Sequence, residues 1–372
     1  MSIEVKPVGD RCNLNCSYCY EDGIRSSKFP VDVDAMKEAL IAAGGSFTVF
    51  GGEPLLTPRD ILEELFCLGL ERYHTNSIQT NALMIDSVDM VNFLKRFKVN
   101  VGISFDGPGE LNLARCPLPI TSKIENNINL LIGNGLIPSF IVTLTRYNTG
   151  DKLPQLIDWF KWLDTQGVTS IRLHNAEDNG KGAEYLIDHD TQYNSFIAIY
   201  ESTQELRIQF DVFTDIKKAL SGDLSGLTCI WNSCDPYNTP AVVGVKANGE
   251  SENCGRVYKD GTVWIKSDSS DNVREVTLKN TPTEDGGCKG CKYFPICKGQ
   301  CPGTAIDGDW RNRTRDCEFW KRLFSYFAPP DFEERIQKLE SQTKVGGHGD
   351  VPHGDWHGDH TDKHRLLVPV KQ

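Results

Sequence analysis

Cys12, Cys16 and Cys19 lie in the run Arg11-Cys12-Asn13-Leu14-Asn15-Cys16-Ser17-Tyr18-Cys19-Tyr20. Their C-x3-C-x2-C spacing offers three thiolates from a single loop. Four thiolates would close every iron of a 4Fe–4S cube. Three leave one iron able to take another ligand, as an open position does in a catalytic metal site. A structural zinc loop is the plainer use of such cysteines, although zinc commonly takes four ligands in two pairs.

Residues 229 to 317 hold eight more cysteines. Cys229 and Cys234 come first, and Gly249 and Cys254 follow in G-x4-C spacing. Cys288, Cys291, Cys297 and Cys301 form C-x2-C-x5-C-x3-C, and Cys317 closes the set. Eight thiolates suffice for two fully ligated cubes; a two-zinc ribbon is the alternative. Cys67 and Cys116 stand apart, Cys67 reading as a buried helical residue and Cys116 as a loop thiol that could reach substrate. Without an export signal the thirteen cysteines are not expected to form disulfides, and the eleven in groups read as iron–sulfur or zinc ligands.

The remaining composition narrows the class. A length of 372 residues allows two to three domains. The chain has no apolar run long enough for a membrane span and no basic-apolar leader, so a cytoplasmic location without membrane contact is expected. A net charge of −11 argues against broad nucleic-acid contact, which needs a basic face.

The elements that must position these cysteines alternate. Short β-rich runs at 3–8, 47–50, 76–80, 99–105, 138–145 and 168–174 predict strands. Between them, 34–43, 60–70, 87–97, 124–134 and 153–164 carry apolar residues at helical spacing; Leu153, Leu156, Ile157, Phe160 and Leu163 form one stripe. Six β–α units predict an α/β fold with parallel strands under covering helices. In barrels of this kind chemistry gathers at the C-terminal strand ends, and the cysteine triplet directly follows the first strand. Gly51-Gly52-Glu53-Pro54, Gln79-Thr80-Asn81 and Ser104-Phe105-Asp106-Gly107-Pro108 close the next three strands. Asp106 fits an Asp-Gly turn equally well. Further on, 241–247, 256–258 and 262–265 predict a small hairpin framework with Asn248-Gly249 as a turn.

The aromatic before Cys19, the triplet and the motifs at the strand ends closely resemble radical S-adenosylmethionine (SAM) enzymes, and the second array resembles their SPASM extension. The likeness spans about residues 3 to 327. It implies a partial (β/α)6 TIM-like barrel over 1–215, a small cysteine-rich α+β SPASM domain over 216–328, then a helix to 344 and a tail from 345. It implies that Cys12, Cys16 and Cys19 hold the SAM-binding 4Fe–4S cluster, from which a 5′-deoxyadenosyl radical arises to take hydrogen from substrate. Tyr18, Gly52, Glu53, Ser104, Arg115 and Leu173 would help hold SAM: Glu53 through its amine, Arg115 through its carboxylate, Leu173 along its adenine. Cys229, Cys234, Cys254 and Cys301 would bind one auxiliary cluster, and Cys288, Cys291, Cys297 and Cys317 another. The implied substrate is a peptide or protein, the implied reaction a crosslink or related oxidation in maturing a ribosomally made peptide. Flavodoxin or ferredoxin is the implied electron donor. Sulfatase-maturing relatives carry an aspartate base directly after the equivalent of Cys254; here that residue is Gly255, which disfavours their reaction. A radical SAM dehydrogenase of small molecules is an alternative, and a non-catalytic iron–sulfur electron carrier is the reading from outside the enzymes.

Fewer signals remain. Trp159, Trp162 and Trp231 read as packing residues, while His174, Glu177 and Asp178 fall where they could face substrate. His-Gly-Asp recurs three times in the tail, whose low apolar content predicts disorder.

Overall fold

The computed structural model describes residues 2–21, 30–178, 184–236, 242–259 and 272–335. The strand expected at 262–265 and the His-Gly-Asp tail lie outside these residues, as does most of the helix expected beyond 331.

Strands and helices alternate through the first two-thirds. In order they are β1 (Ser2–Lys6), α1 (Val33–Ala43), β2 (Phe47–Val49), α2 (Arg59–Tyr73), β3 (Asn76–Thr80), α3 (Val88–Arg96), β4 (Val99–Ser104), α4 (Leu118–Gly133), β5 (Ser139–Leu144), α5 (Leu153–Thr165), β6 (Ser170–Asn175), α6 (His189–Ser202), β7 (Gln209–Phe210) and α7 (Asp211–Ser221). Local chemistry marks where the helices start. Asp32, Ser87 and Asp188 accept from Ala35, Met90 and Thr191 backbone amides at the starts of α1, α3 and α6. Gly44, at φ +74°, ends α1 in the left-handed conformation. Pro117 and Pro119 start α4 six residues before its expected onset.

The C-terminal region adds β8 (Val242–Lys246), β9 (Ser251–Glu252), α8 (Gly255–Tyr258), α9 (Val273–Asn280), α10 (Phe294–Cys297) and α11 (Cys317–Phe327). The run 256–258 was expected as a strand; it lies in the one-turn helix α8 instead, which starts at Gly255. The expected turn at Asn248-Gly249 is present. Gly249 has φ +81°, and a Cβ there would come within 2.7 Å of the Ala35 backbone, so the turn packs directly on α1.

Nine strands form one sheet in the order β7-β6-β5-β4-β3-β2-β1-β8-β9. All neighbours are parallel except the β8–β9 hairpin. Expectation covered the six central strands. The structure adds β7 at one edge, and at the other β8 pairs with β1 over five residues, with Val5 opposite Val245. The open, unclosed barrel is therefore continued by a hairpin from beyond residue 215. Along β1, Ile3 and Val5 are buried in the apolar core, whereas Glu4 turns to a cavity on the other face. The core continues into α11, whose Phe319 meets Phe196 of α6 edge-on at 4.9 Å.

Candidate active site

The cysteine loop leaves β1 and is gripped at both ends. Lys6, 2% exposed, reaches Asp10 at 3.2 Å, Glu21 at 2.9 Å and Glu252 of β9 at 3.2 Å. One ammonium thus ties both flanks of the triplet to the C-terminal hairpin, and these carboxylates hold it charged despite its burial. The loop's middle rests on the glycine turn after β2. The Gly52 amide donates to Gly9 at 3.1 Å, and a Cβ at Gly52 would sit 2.4 Å from the Asp10 and Arg11 carbonyl oxygens. Only glycine fits this approach.

Donors point at the sulfurs. The Leu14 amide lies 3.4 Å from Cys12 Sγ, Asn81 Nδ2 lies 3.9 Å from the same atom, and Arg115 Nη1 lies 3.9 Å from Cys16 Sγ. Burial pushes the Cys16 thiol up to about 12, with Arg115 opposing. Even with Arg115 beside it such a thiol keeps its proton; a metal would take it as thiolate.

Asp106 at the end of β4 does more than form a turn. Fully buried, it accepts from Tyr18 Oη at 2.5 Å and the Thr143 amide at 2.9 Å, and pairs with Arg115 Nε at 3.3 Å. Arg115 also lies over the Tyr18 ring, 5.6 Å from its centroid. Arg115 was expected to be free for a ligand carboxylate. It lines the cavity but already serves Asp106, which fixes Tyr18 beside Cys19. Glu53 departs further. It is fully buried, and its oxygens accept from Thr80 Oγ1 at 2.7 Å and the Asn81 and Leu55 amides at 2.8 and 3.0 Å. Its carboxylate therefore holds the strand ends rather than facing an amine. Ser104, Gly52, Tyr18 and Leu173 all line the cavity, with Ser104 accepting from Gln79 Nε2 at 2.9 Å.

The downstream cysteines fall into two neighbourhoods. Cys254 feels Cys301, Cys234 and Cys229; Cys297 feels Cys288, Cys317 and Cys291. Burial raises Cys229 to about 11 and Cys288 to about 12. Among the described residues, no three histidine, cysteine or acidic side chains converge tightly enough for a single metal ion. A polynuclear cube, ligated at separate corners, takes thiols more widely spaced than a mononuclear zinc site.

Both groups hang on a residue that sequence reading missed. Arg274 of α9, 1% exposed, donates to the carbonyls of Cys234, Lys298, Gly299, Gln300, Trp310 and Asn312 at 2.6–3.4 Å. Nothing in its local sequence signals this, since its partners lie 24 to 40 residues away.

A cavity of about 340 Å³ lies between the triplet and the first downstream group. Cys12, Cys16 and Cys19 line one side, and Cys229, Cys234, Cys254 and Cys301 another; the second group is absent from its lining. His174 and Glu177 line it, and Asp178, which could also have faced substrate, does not. Arg256 pairs with Glu177 at 2.9 Å and meets His174 Nδ1 at 3.2 Å, while Arg172 pairs with Asp211 at 2.7 Å. Burial and these arginines hold His174 well below its usual range, as neutral imidazole. Trp231 also lines the cavity, Trp159 packs in the core, and Trp162 is 39% exposed. Cys116 is buried against Asn112 and Thr121, away from the cavity, which removes it as a substrate thiol. Cys67 is exposed rather than buried, because it falls on the outer side of α2.

Three thiols on one loop, donors aimed at their sulfurs, and a passage that admits no side chain at Gly52 fit a cube with one iron open. Residues 7–160 match the family model of the radical SAM superfamily, and this stretch is a radical SAM domain; that superfamily uses a 4Fe–4S cluster and SAM. Among curated proteins, the cysteine-type anaerobic sulfatase-maturating enzyme of Clostridium perfringens strain 13 is 25% identical over 382 aligned residues, covering 88% of this chain and 96% of that one. The serine-type anaerobic sulfatase-maturating enzyme of Bacteroides thetaiotaomicron is 23% identical, covering 88% and 89%. Among solved structures, anSMEcpe with bound AdoMet and a Kp18Cys peptide superposes with TM-score 0.69 at 23% identity, over 91% of this chain and 99% of that one. Streptococcus suis SuiB bound to S-adenosylmethionine gives 0.58 at 17%, over 85% and 77%. These structures share the fold. No helix among the described residues is long and apolar enough to cross a membrane.

Proposed function

We propose that this radical SAM enzyme is a SPASM-type maturase that oxidatively modifies a side chain of a peptide or protein, with a ribosomally made peptide and a crosslink or related oxidation as its product class. One observation carries the reading: a single cavity is lined by the Cys12–Cys16–Cys19 triplet and by Cys229, Cys234, Cys254 and Cys301. A centre that starts a radical reaction and one that can accept an electron would then face the same substrate. Cys12, Cys16 and Cys19 would hold the SAM-binding cluster, and the two downstream groups would hold auxiliary 4Fe–4S clusters. When bound, the cluster and SAM supply a 5′-deoxyadenosyl radical that removes a hydrogen atom from substrate. The chain's own part is positional. Lys6 and Gly52 hold the triplet loop, Asp106 fixes Tyr18 and Arg115, and Ser104 and Leu173 shape the wall where SAM would lie. A flavodoxin or ferredoxin would deliver the first electron.

The test is anaerobic reconstitution with iron and sulfide, followed by dithionite and SAM. We expect about 12 irons per chain and formation of 5′-deoxyadenosine. Replacing Cys12, Cys16 and Cys19 by alanine should abolish that product and remove about one-third of the iron. Zinc in place of iron, or product surviving in the triple variant, would refute the assignment.

Sulfatase maturation is the second reading, favoured by the curated relatives. A Cβ at Gly255 would lie 2.6 Å from Glu21 Oε1 and 2.9 Å from the Tyr20 ring. Glu21 and Tyr20 therefore crowd the position at which those relatives carry an aspartate. A cysteine- or serine-containing sulfatase peptide in the same assay is expected to yield no formylglycine.

A further inference from the structure

The cavity wall carries six carboxylates: Glu4, Glu21, Glu177, Asp211, Asp215 and Asp316. Five have partners on the protein. Glu21 meets Lys6, Glu177 meets Arg256 and Lys259, Asp211 meets Arg172, Asp215 accepts from Thr228, and Asp316 lies 3.8 Å from His189. Glu4 has no hydrogen bond or ion pair with any described side chain. It projects from the middle of β1, partly buried, and shares its surroundings with Cys229 and Cys254.

The ammonium that might have neutralised it is already committed. Lys6, two residues along the same strand face, is shared by Asp10, Glu21 and Glu252. Three carboxylates therefore share one ammonium, and Glu4, which lines the cavity, is left without it. A buried charge without a partner is costly, and burial lifts the Glu4 carboxyl to about 6.

A second observation points the same way. Gln300, 2% exposed and also on the cavity wall, leaves its Oε1 without a donor, while its Nε2 is engaged by the Cys297 carbonyl. Asn175 Oδ1, at the end of β6 on the same wall, is likewise buried and unbonded. Each of these three side chains offers an acceptor that lacks a donor, so the ligand that completes the wall is rich in donors.

We propose that Glu4, with Gln300 and Asn175 as neutral acceptors, receives the cationic side chain of a substrate lysine or arginine in the cavity. Glu4 is a specificity-determining residue in this scheme. The inference rests on the peptide or protein reading above. The chain's net charge of −11 would further draw a basic segment toward the cavity.

The test uses the anaerobically reconstituted protein and fluorescein-labelled nonapeptides of alanine and glycine with one central residue: lysine, arginine, glutamine or leucine. Fluorescence anisotropy should show the lysine and arginine peptides binding about tenfold tighter than the other two, the worth of one partly buried charge-assisted hydrogen bond. Glu4→Gln, nearly isosteric, should erase the preference while leaving iron content unchanged. If Glu4→Gln loses iron, Glu4→Asp reads the same point: the preference must shrink, and an undiminished one refutes the assignment. Peptides that bind without preference, or a preference that survives Glu4→Gln, overturn the role of Glu4 alone. If no peptide binds, the peptide reading falls and takes this inference with it.

Discussion

At the scale of single residues, the site is governed by which charges are already spoken for. Glu53 and Arg115 resemble ligand-binding residues in sequence, yet Thr80, Asn81 and Leu55 take up Glu53, and Asp106 holds Arg115. Those partners lie up to 28 residues from Glu53, and no local pattern announces them. The cysteine groups stood out for the opposite reason: their spacing is visible in the chain itself, and three of them share one loop. Glu4 was passed over because a lone acidic residue in a strand carries no signal until its surroundings are known. It also gives a pH dependence. Around Glu4 stand Lys6, Tyr20, Glu21, Arg172, Cys229, Glu252 and Cys254, and burial places its free carboxyl at about 6. A bound cation favours the ionised form and lowers that value. Affinity for the lysine peptide should therefore be full above pH 6 and fall on acidification, approaching tenfold per unit at most. The glutamine peptide should show no such fall in anisotropy titrations between pH 5 and 8.

At the scale of elements, the barrel was readable because each strand and helix repeats its own apolar period. Asn76–Thr80 is reproduced to the residue, and the other five central strands shift by one or two at their ends. The departures have physical causes. β7 is only two residues long, too short for any alternation to show. Val257 carries strand propensity, but Cys254 sits at the N-terminal boundary of a single helical turn there. Among the downstream loops, α9 matters most, because Arg274 supplies the only described side chain that binds carbonyls from all three segments at 234, 298–300 and 310–312. Arg274→Met would keep most of the volume but leave these carbonyls without a donor. We expect a loss of about 3 kcal/mol or more, measured by chemical denaturation. Iron should be lost from both downstream groups while the triplet's share remains.

At the scale of the whole molecule, the two cysteine regions are parts of one sheet. Strand β8 adds to β1 in parallel, a pairing across some 240 residues of chain that local periodicity does not reveal. Lys6 reinforces the junction by bonding Glu252 of β9. Residues 1–215, expressed alone, would retain the triplet but lose that neighbour. We expect this fragment to aggregate, as judged by size-exclusion chromatography, while the chain ending at 335 stays dispersed. Because the ladder fixes where the hairpin lies relative to the triplet, a C-terminal region transplanted from a relative would need to bring a compatible β8. Exchange between such proteins is thus constrained at a strand edge as well as at the cysteines.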